Sequence, residues 1–132
     1  QKNQIPPKIV LKDLYVSGQK INIGDKVNGH TLLEKRLDLT SRIKLSHDHN
    51  SISLSFAALH YTSPGKNRYR YMLEGYETSF HEMTGETHAS YQNLPPGIYT
   101  FVLQGSNSDG IWSEDVKKLK IKTSLANSND ES

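Results

Sequence analysis

The strongest constraint on the fold of this chain is an alternation of apolar and polar residues with a period of two. Successive side chains of a β-strand point to opposite faces, so this alternation predicts strands that are buried on one side. In the segment NSISLSFAAL the apolar face carries Ile52, Leu54, Phe56 and Ala58, with mostly serines between them. The pattern returns in three later segments, whose predicted inward side chains are Tyr69, Tyr71 and Leu73; Tyr99, Phe101 and Leu103; and Leu119 and Ile121.

The first 50 residues follow the alternation less clearly. KIVLKDLYVSG places Ile9, Leu11, Leu14 and Val16 at strand-like positions and ends at Gly18. An Asn-Gly pair at positions 28 and 29 is a strong turn signal. The segment TLLEKRLDL allows either a helical turn or short strands, and we interpret it as short strands. About seven strands separated by turn residues predict an all-β fold, an immunoglobulin- or fibronectin-III-like antiparallel β-sandwich.

The length of 132 residues, of which 34% are hydrophobic, suits one domain. We expect residues 1–7, which contain two prolines, to be a linker, residues 8–123 to be the sandwich domain, and residues 124–132 to be a disordered polar tail. No apolar run approaches the roughly 20 residues of a membrane helix. The opening residue, Gln1, indicates a piece of a longer chain or a processed product.

Composition and motifs argue against several classes of function. The chain has no cysteine, which excludes disulfides and thiolate metal sites. Its formal charge of +2 comes from charges scattered along the chain, whereas a nucleic-acid surface needs a clustered basic face, so no nucleic-acid binding is expected. The chain contains no G-x-S-x-G elbow, no phosphate-binding glycine loop and no H-E-x-x-H helix. The sequence therefore predicts no catalytic residues, no cofactor and no enzymatic activity.

Two segments carry possible metal ligands. On a strand, His47 and His49 would share a face, but two ligands do not make a zinc site, and an exposed turn is the simpler interpretation. The segment SNSDGIWS offers Asn107, Asp109 and Glu114 without the spacing of a calcium loop. We therefore predict no metal site.

The segment YQNLPPGIYTF predicts a tyrosine corner, in which a tyrosine hydroxyl bonds to the backbone a few residues upstream. In this interpretation Leu94 covers the core, Pro95 and Pro96 stiffen the corner, Gly97 permits a positive φ, and Tyr99 points inward. The segment is therefore expected to lock the fold rather than to bind a ligand.

A hairpin to the last strand is expected at SNSDGIWS. Its tryptophan, Trp112, has two possible roles. It either covers the end of the core or presents an exposed aromatic ring to a sugar or a protein partner. Covering the core is the simpler interpretation.

Taken together, the segments SFAALHYTSPGKNRYRYMLEGYE, YQNLPPGIYTFVLQGSNSDGIWS and LKIK resemble the three-tyrosine (Y_Y_Y) domain over about residues 7–123. This family is an immunoglobulin-like module in the periplasmic, membrane-proximal region of hybrid two-component sensors of Bacteroidetes. Members usually carry Asp and then Trp where this chain has Glu77 and Phe80, and they commonly continue into an aromatic segment instead of SLANSNDES. The positions that match the family pattern, all with expected structural roles, are Phe56, Ala58, Tyr69, Tyr71, Leu73, Gly75, Tyr76, Tyr91, Asn93, Leu94, Pro95, Pro96, Gly97, Tyr99, Phe101, Asn107, Asp109, Gly110 and Trp112.

The resemblance implies a non-catalytic signal-relay and dimer-contact domain of a periplasmic carbohydrate sensor. Its expected partners are upstream β-propellers of the same chain, which bind the glycan, and a second copy of the domain. The domain would couple the propellers to a transmembrane histidine kinase, a task that suits a stiff sandwich with its termini at opposite ends. The alternative is an accessory carbohydrate- or protein-binding β-sandwich.

Overall fold

The computed structural model describes residues 8–27, 29–46, 48–59, 68–84, 88–106, 112 and 116–124. Within these ranges the chain forms eleven strands and one 3₁₀ helix. In chain order they are β1 (Lys8–Val16), β2 (Gln19–Ile21), β3 (Lys26–Val27), β4 (His30–Thr31), the 3₁₀ helix (Leu37–Leu39), β5 (Arg42–Leu45), β6 (Ile52–Leu59), β7 (Arg68–Glu74), β8 (His81–Thr84), β9 (His88–Tyr91), β10 (Gly97–Ser106) and β11 (Lys117–Thr123).

The strands form two larger sheets and one small hairpin. The first sheet has the order β2-β1-β6-β9, the second has the order β5-β11-β10-β7-β8, and β3 pairs with β4. One continuous hydrophobic core draws side chains from both larger sheets, which confirms the all-β sandwich. The two sheets together have more than the expected seven strands, because short strands such as β2 and β8 contain too few residues to show an alternation. One pairing also differs from the antiparallel expectation, since β5 and β11 run parallel.

The predicted inward faces form the centre of the core. Leu54, Leu73, Phe101 and Leu119 have no exposed surface, and Phe56 is 1% exposed. The alternation in the sequence therefore predicted the buried face of β6, β7, β10 and β11 correctly.

A β-bulge explains the irregular spacing of the apolar residues in β1. Leu11 and Leu14 are both buried although they are three residues apart. The pairing of β1 with β6 shifts register between Leu11 and Asp13, so Lys12 is an extra residue. An extra residue of this kind resets which side chains point inward, and the strand keeps its buried face on both sides of the bulge.

The segment TLLEKRLDL forms the end of a strand and a helical turn, so its interpretation as short strands is only partly right. β4 covers its first residue, and the 3₁₀ helix lies near its end. The Asp38 carboxylate holds this turn in place, because it accepts a hydrogen bond from the Leu11 N–H at 3.0 Å and forms an ion pair with Lys117 at 3.0 Å. The partners of Asp38 in β1 and β11 are far from it in the sequence, so local sequence patterns do not reveal these contacts.

Strand registers place the two ends of the described sandwich far apart. At one end Lys8, the first residue of β1, pairs with Leu59 of β6. The other end of β6 pairs with Tyr91, the last residue of β9. The chain then turns into β10, whose first residue, Gly97, pairs with Thr123, the last residue of β11. The sandwich is therefore entered at one end and left at the other. None of the described residues lies in a helix long and apolar enough to span a membrane.

Candidate functional site

The turn between β9 and β10 is closed by Tyr99. The Tyr99 hydroxyl donates a hydrogen bond to the Pro95 carbonyl oxygen at 2.5 Å, which is the bond that defines a tyrosine corner. Leu94 is completely buried beside it, and its N–H donates to the Asn50 carbonyl at 3.1 Å. The corner is thus fixed both to its own strand and to the segment that precedes β6.

The prediction of a positive φ at Gly97 is wrong. The residue of the corner with a left-handed backbone is Asn93, at a φ of 54°, and its N–H donates to the Ser51 hydroxyl oxygen at 3.1 Å. Asparagine adopts this conformation more readily than other residues with a Cβ, so the corner does not need a glycine for it. A Cβ at Gly97 would lie 3.4 Å from the Tyr99 hydroxyl oxygen. This is an ordinary van der Waals distance, so space beside the tyrosine ring does not by itself require a glycine at this position.

Glu77 is the centre of a second set of contacts at the same end of the sandwich. It follows the turn at Gly75, which has a φ of 95°. One carboxylate oxygen, Oε1, accepts hydrogen bonds from the Leu73 N–H at 2.9 Å and from the Tyr91 hydroxyl at 2.9 Å. The other oxygen, Oε2, bonds to His81 Nε2. One carboxylate therefore joins the end of β7, the start of β8 and the end of β9, and so connects the two sheets.

The environment of Glu77 favours its ionised form. Burial raises the pKa of this carboxyl, but hydrogen bonds from His81, Leu73 and Tyr91 outweigh burial and lower the pKa below its ordinary value. Burial and the hydrogen bond to Glu77 both raise the pKa of Tyr91. Tyr91 therefore stays protonated and donates to an ionised acceptor, the stronger kind of hydrogen bond.

Aromatic contacts connect the tyrosine corner with the contacts of Glu77. The Tyr76 ring meets Tyr91 and Tyr99 edge to face, each at a centroid distance of 6.1 Å. Burial, and then the neighbouring Tyr76, raise the pKa of Tyr99. Because Tyr91 belongs to the first sheet and Tyr99 to the second, these rings span the sandwich. We call Tyr76, Glu77, His81, Tyr91 and Tyr99 the corner cluster.

Trp112 lies against the outer face of the second sheet. The guanidinium carbon of Arg70 is 4.2 Å from its ring centroid, and that of Arg68 is 5.8 Å away. Arg70 also lies over the Phe80 ring at 5.3 Å and donates to Gln104 Oε1 at 2.8 Å. Trp112 is half-buried and is not part of the core. It therefore covers the arginines of the outer face rather than the end of the core.

The structure brings most of the other family-motif positions into the core or the corner. Phe56 packs in a tilted arrangement against Tyr69 and Tyr71, at centroid distances of 5.2 and 6.2 Å. Tyr71 lies 5.7 Å from Phe101. The side chain of Ala58, and residues 107, 109 and 110 of the predicted loop, lie outside the described parts of the chain.

The possible metal ligands do not assemble into a site within the described ranges. His47 lies outside them, and His49 Nδ1 is 3.3 Å from the Ser46 hydroxyl oxygen. Among the described residues, no three histidines or carboxylates are grouped closely enough to hold a metal ion.

Sequence reasoning noted Glu77 only as a departure from the family pattern. The sequence signal that could have pointed to Glu77 was its position just after a glycine turn. It lies between Leu73, which is buried, and His81, which is exposed. That spacing does not reveal that Tyr91, on the other sheet, would reach the same oxygen atom.

Two solved structures with a similar fold are extracellular domains of putative hybrid two component systems. The extracellular domain of the putative hybrid two component system BT4673 from B. thetaiotaomicron aligns with a TM-score of 0.76 and 25% identity over 93% of this chain and 16% of that chain. The extracellular domain of the putative hybrid two component system BT3049 from the same organism aligns with a TM-score of 0.69 and 28% identity over 92% of this chain and 16% of that one.

A relative found by sequence is "Histidine kinase P4" from Formosa agariphila, which is 29% identical over 119 residues. The alignment covers 90% of this chain but 8% of the relative. This chain therefore spans a small part of each of these proteins.

The fold and these similarities define a β-sandwich of the kind found in the extracellular domains of hybrid two component systems. The family model of the Y_Y_Y domain matches residues 60–124, so this part of the chain belongs to that family. A Y_Y_Y domain is non-catalytic, and this one is periplasmic. The residues of the corner cluster therefore have no catalytic step to perform.

Proposed function

We propose that this domain relays a conformational signal and contributes a dimer contact in a periplasmic carbohydrate-sensing hybrid two-component regulator. Its input comes from upstream ligand-binding β-propellers of the same chain, and its output goes to a transmembrane histidine kinase. The glycan binds to the propellers, and a second copy of the domain is the other partner. The observation that carries the proposal is the position of the corner cluster, which joins the two sheets at the end opposite to the start of β1.

A relay must transmit a displacement without absorbing it in local rearrangement. Protein interiors are packed as densely as organic crystals and transmit strain. In this domain β1 is joined to β6 along its whole length, and β6 is joined to β9. Tyr91, at the end of β9, is bonded to Glu77. A movement of the first sheet would therefore pass directly to the end of β7 on the second sheet.

The exit from the domain lies next to this connection. Tyr99 is in register with Ile121 of β11, and Gly97 is in register with Thr123. The residues that fix the β9–β10 corner are thus one strand away from the last residues of β11. Any segment that follows β11 would be displaced together with the corner.

The experiment that tests the relay uses the full-length parent sensor. Glu77→Gln and Tyr99→Phe weaken the corner cluster and leave the proposed glycan site of the propellers untouched, so we expect oligosaccharide affinity to stay constant while ligand-dependent autophosphorylation falls. The matched control is Glu34→Gln, which removes the same charge from an exposed side chain. An unchanged dose-response curve in both cluster variants, despite a measured loss of domain stability, would refute the relay.

Trp112 supports a second candidate function, an accessory carbohydrate- or protein-binding module. The ring is half-buried on an outer face, and Arg70 occupies one side of it. A Trp112→Ala variant of normal stability that loses glycan binding would favour this function. If the variant bound glycan as well as the unchanged protein does, the ring would act only as a cover for the two arginines.

A further inference from the structure

The fold gathers positive charges that are scattered in the sequence. β5 and β11 are neighbours at one side of the second sheet, and every second residue of each points away from the core. All of these outward residues of β5 and β11 are cationic. We call them the cationic face: Arg42, Lys44, Lys118, Lys120 and Lys122. Because the whole chain has a formal charge of only +2, this face is a local concentration of charge.

The arrangement of the cationic face is electrostatically unfavourable for the isolated domain. Arg42 is directly opposite Lys120, and Lys44 is directly opposite Lys122. Like charges at directly opposed positions destabilise a sheet. In the described part of the chain, Arg42, Lys44, Lys118 and Lys120 form no ion pair with a carboxylate.

Solubility alone does not account for this arrangement. The outer face of the first sheet instead combines neutral hydroxyls, such as those of Ser53 and Ser90 at 3.0 Å, with a cation paired to an acid, Lys20 with Asp13 at 3.5 Å. Charges on an edge strand also protect it from pairing with other chains, which accounts for the two cations of β5. β11 lies between β5 and β10, so edge protection does not explain its three outward-facing lysines.

An exposed apolar side chain accompanies the cations. Ile98 is 62% exposed and is in register with Lys122. Both residues lie at the end of the sandwich where β11 finishes. Lysines around an exposed aliphatic side chain are typical of surfaces that lie on a membrane, where the cations meet anionic headgroups and the apolar group enters the acyl boundary.

The choice of lysine distinguishes a membrane from a protein partner. Four of the five cations are lysines, a residue that is depleted in protein–protein interfaces, whereas arginine is enriched there. Lysine is a mobile point charge that does not need a partner of fixed geometry. A fluid surface of anionic headgroups fits these side chains better than a structured acidic protein does.

We propose that the cationic face binds an anionic phospholipid surface, with Ile98 as its apolar contact. This inference goes beyond the proposed relay and does not depend on it, because membrane binding can be measured without any signalling.

The test is flotation of the 132-residue chain with vesicles of phosphatidylcholine alone or mixed with phosphatidylglycerol. We expect binding only to the anionic vesicles, with an affinity that falls as salt is added. Each lysine near such a surface contributes about fivefold to the affinity. Changing Lys44, Lys120 and Lys122 together to Gln should therefore weaken binding by roughly a hundredfold. Ile98→Ser, which keeps every charge, should also weaken binding.

The matched control changes Lys12, Lys26 and Lys35 to Gln, which alters the net charge equally at exposed positions outside the cationic face. It should retain most of the binding, and circular dichroism checks that every variant is folded. Equal losses in the two triple variants would overturn the proposal, because net charge alone would then explain the effect. Binding to a soluble acidic polysaccharide without binding to anionic vesicles would overturn it as well.

Discussion

Removing the carboxylate of Glu77 should destabilise the domain strongly. Glu77→Ala deprives the Leu73 N–H and the Tyr91 hydroxyl of their shared acceptor. Hydrogen bonds to charged groups contribute about 1.5–3 kcal/mol each, and a buried donor left without a partner costs a similar amount. Because the Glu77 side chain is 19% exposed, water can replace part of the loss, and we expect the free energy of unfolding to fall by about 3 kcal/mol.

The same geometry predicts a much smaller effect for Glu77→Gln. Both donors bond to the single oxygen Oε1, and a glutamine retains an oxygen at that position. Neutral hydrogen bonds have about half the strength of charge-assisted ones, so the expected loss is about 1 kcal/mol. Glu74→Ala is the control, because Glu74 is an exposed neighbour whose loss should change stability by less than about 0.5 kcal/mol.

Urea unfolding followed by circular dichroism measures these differences, and an unchanged slope would show that the unfolded state is not affected. At roughly 4 °C per kcal/mol, Glu77→Ala should also lower Tm by about 12 °C. A Tyr91→Phe variant combined with Glu77→Ala should be less destabilised than the sum of the single variants, since both changes remove one bond. A loss below about 1 kcal/mol in Glu77→Ala, or an equal loss in Glu77→Gln, would refute this account of the carboxylate.

Three further results are expected. Tyr99→Phe should cost about 1 kcal/mol in urea unfolding, because it removes the hydroxyl that bonds to Pro95; a neutral result would mean that the corner is held by packing alone. Since the pKa of Glu77 is lowered on folding, its contribution is present above the ordinary carboxyl value of 4.5 and is lost as the pH falls further. Stability should therefore drop in acid, and less so in Glu77→Gln; identical pH profiles would contradict this. Gly75→Ala should be more destabilising than Gly24→Ala, although both have a positive φ, because only at Gly75 would the new Cβ approach a backbone oxygen, at 3.0 Å. Equal thermal shifts in the two variants would show that this close approach does not matter.

The parts of the fold that the sequence predicts are those set by local rules. The alternation in β6 identifies Leu54 and Phe56 as core residues, because side-chain direction in a strand depends only on parity. The tyrosine corner is also local, since the Tyr99 hydroxyl reaches a carbonyl four residues upstream. The positive φ expected at Gly97 lies at Asn93 instead, and because both residue types tolerate this conformation, residue type alone does not decide between them.

The remaining features depend on which strands become neighbours. β5 and β11 are more than 70 residues apart in the sequence and pair in parallel, so their cations are a cluster only in the folded domain. Glu77 likewise gains Tyr91 as a partner through the arrangement of the sheets. Such contacts depend on the strand topology, which local patterns in the sequence do not determine.

The position of Lys8 and Thr123 at opposite ends of the described sandwich has a mechanical consequence. If tension were applied between Lys8 and Thr123, β1 and β11 would be pulled along their own axes in opposite directions. The hydrogen bonds of each strand to its neighbours lie across the strands and would be loaded in shear. In this geometry they must fail together rather than one after another, as they do when a hairpin is unzipped from its end. The domain is therefore expected to resist stretching along this axis much better than peeling of β11 from its exposed end.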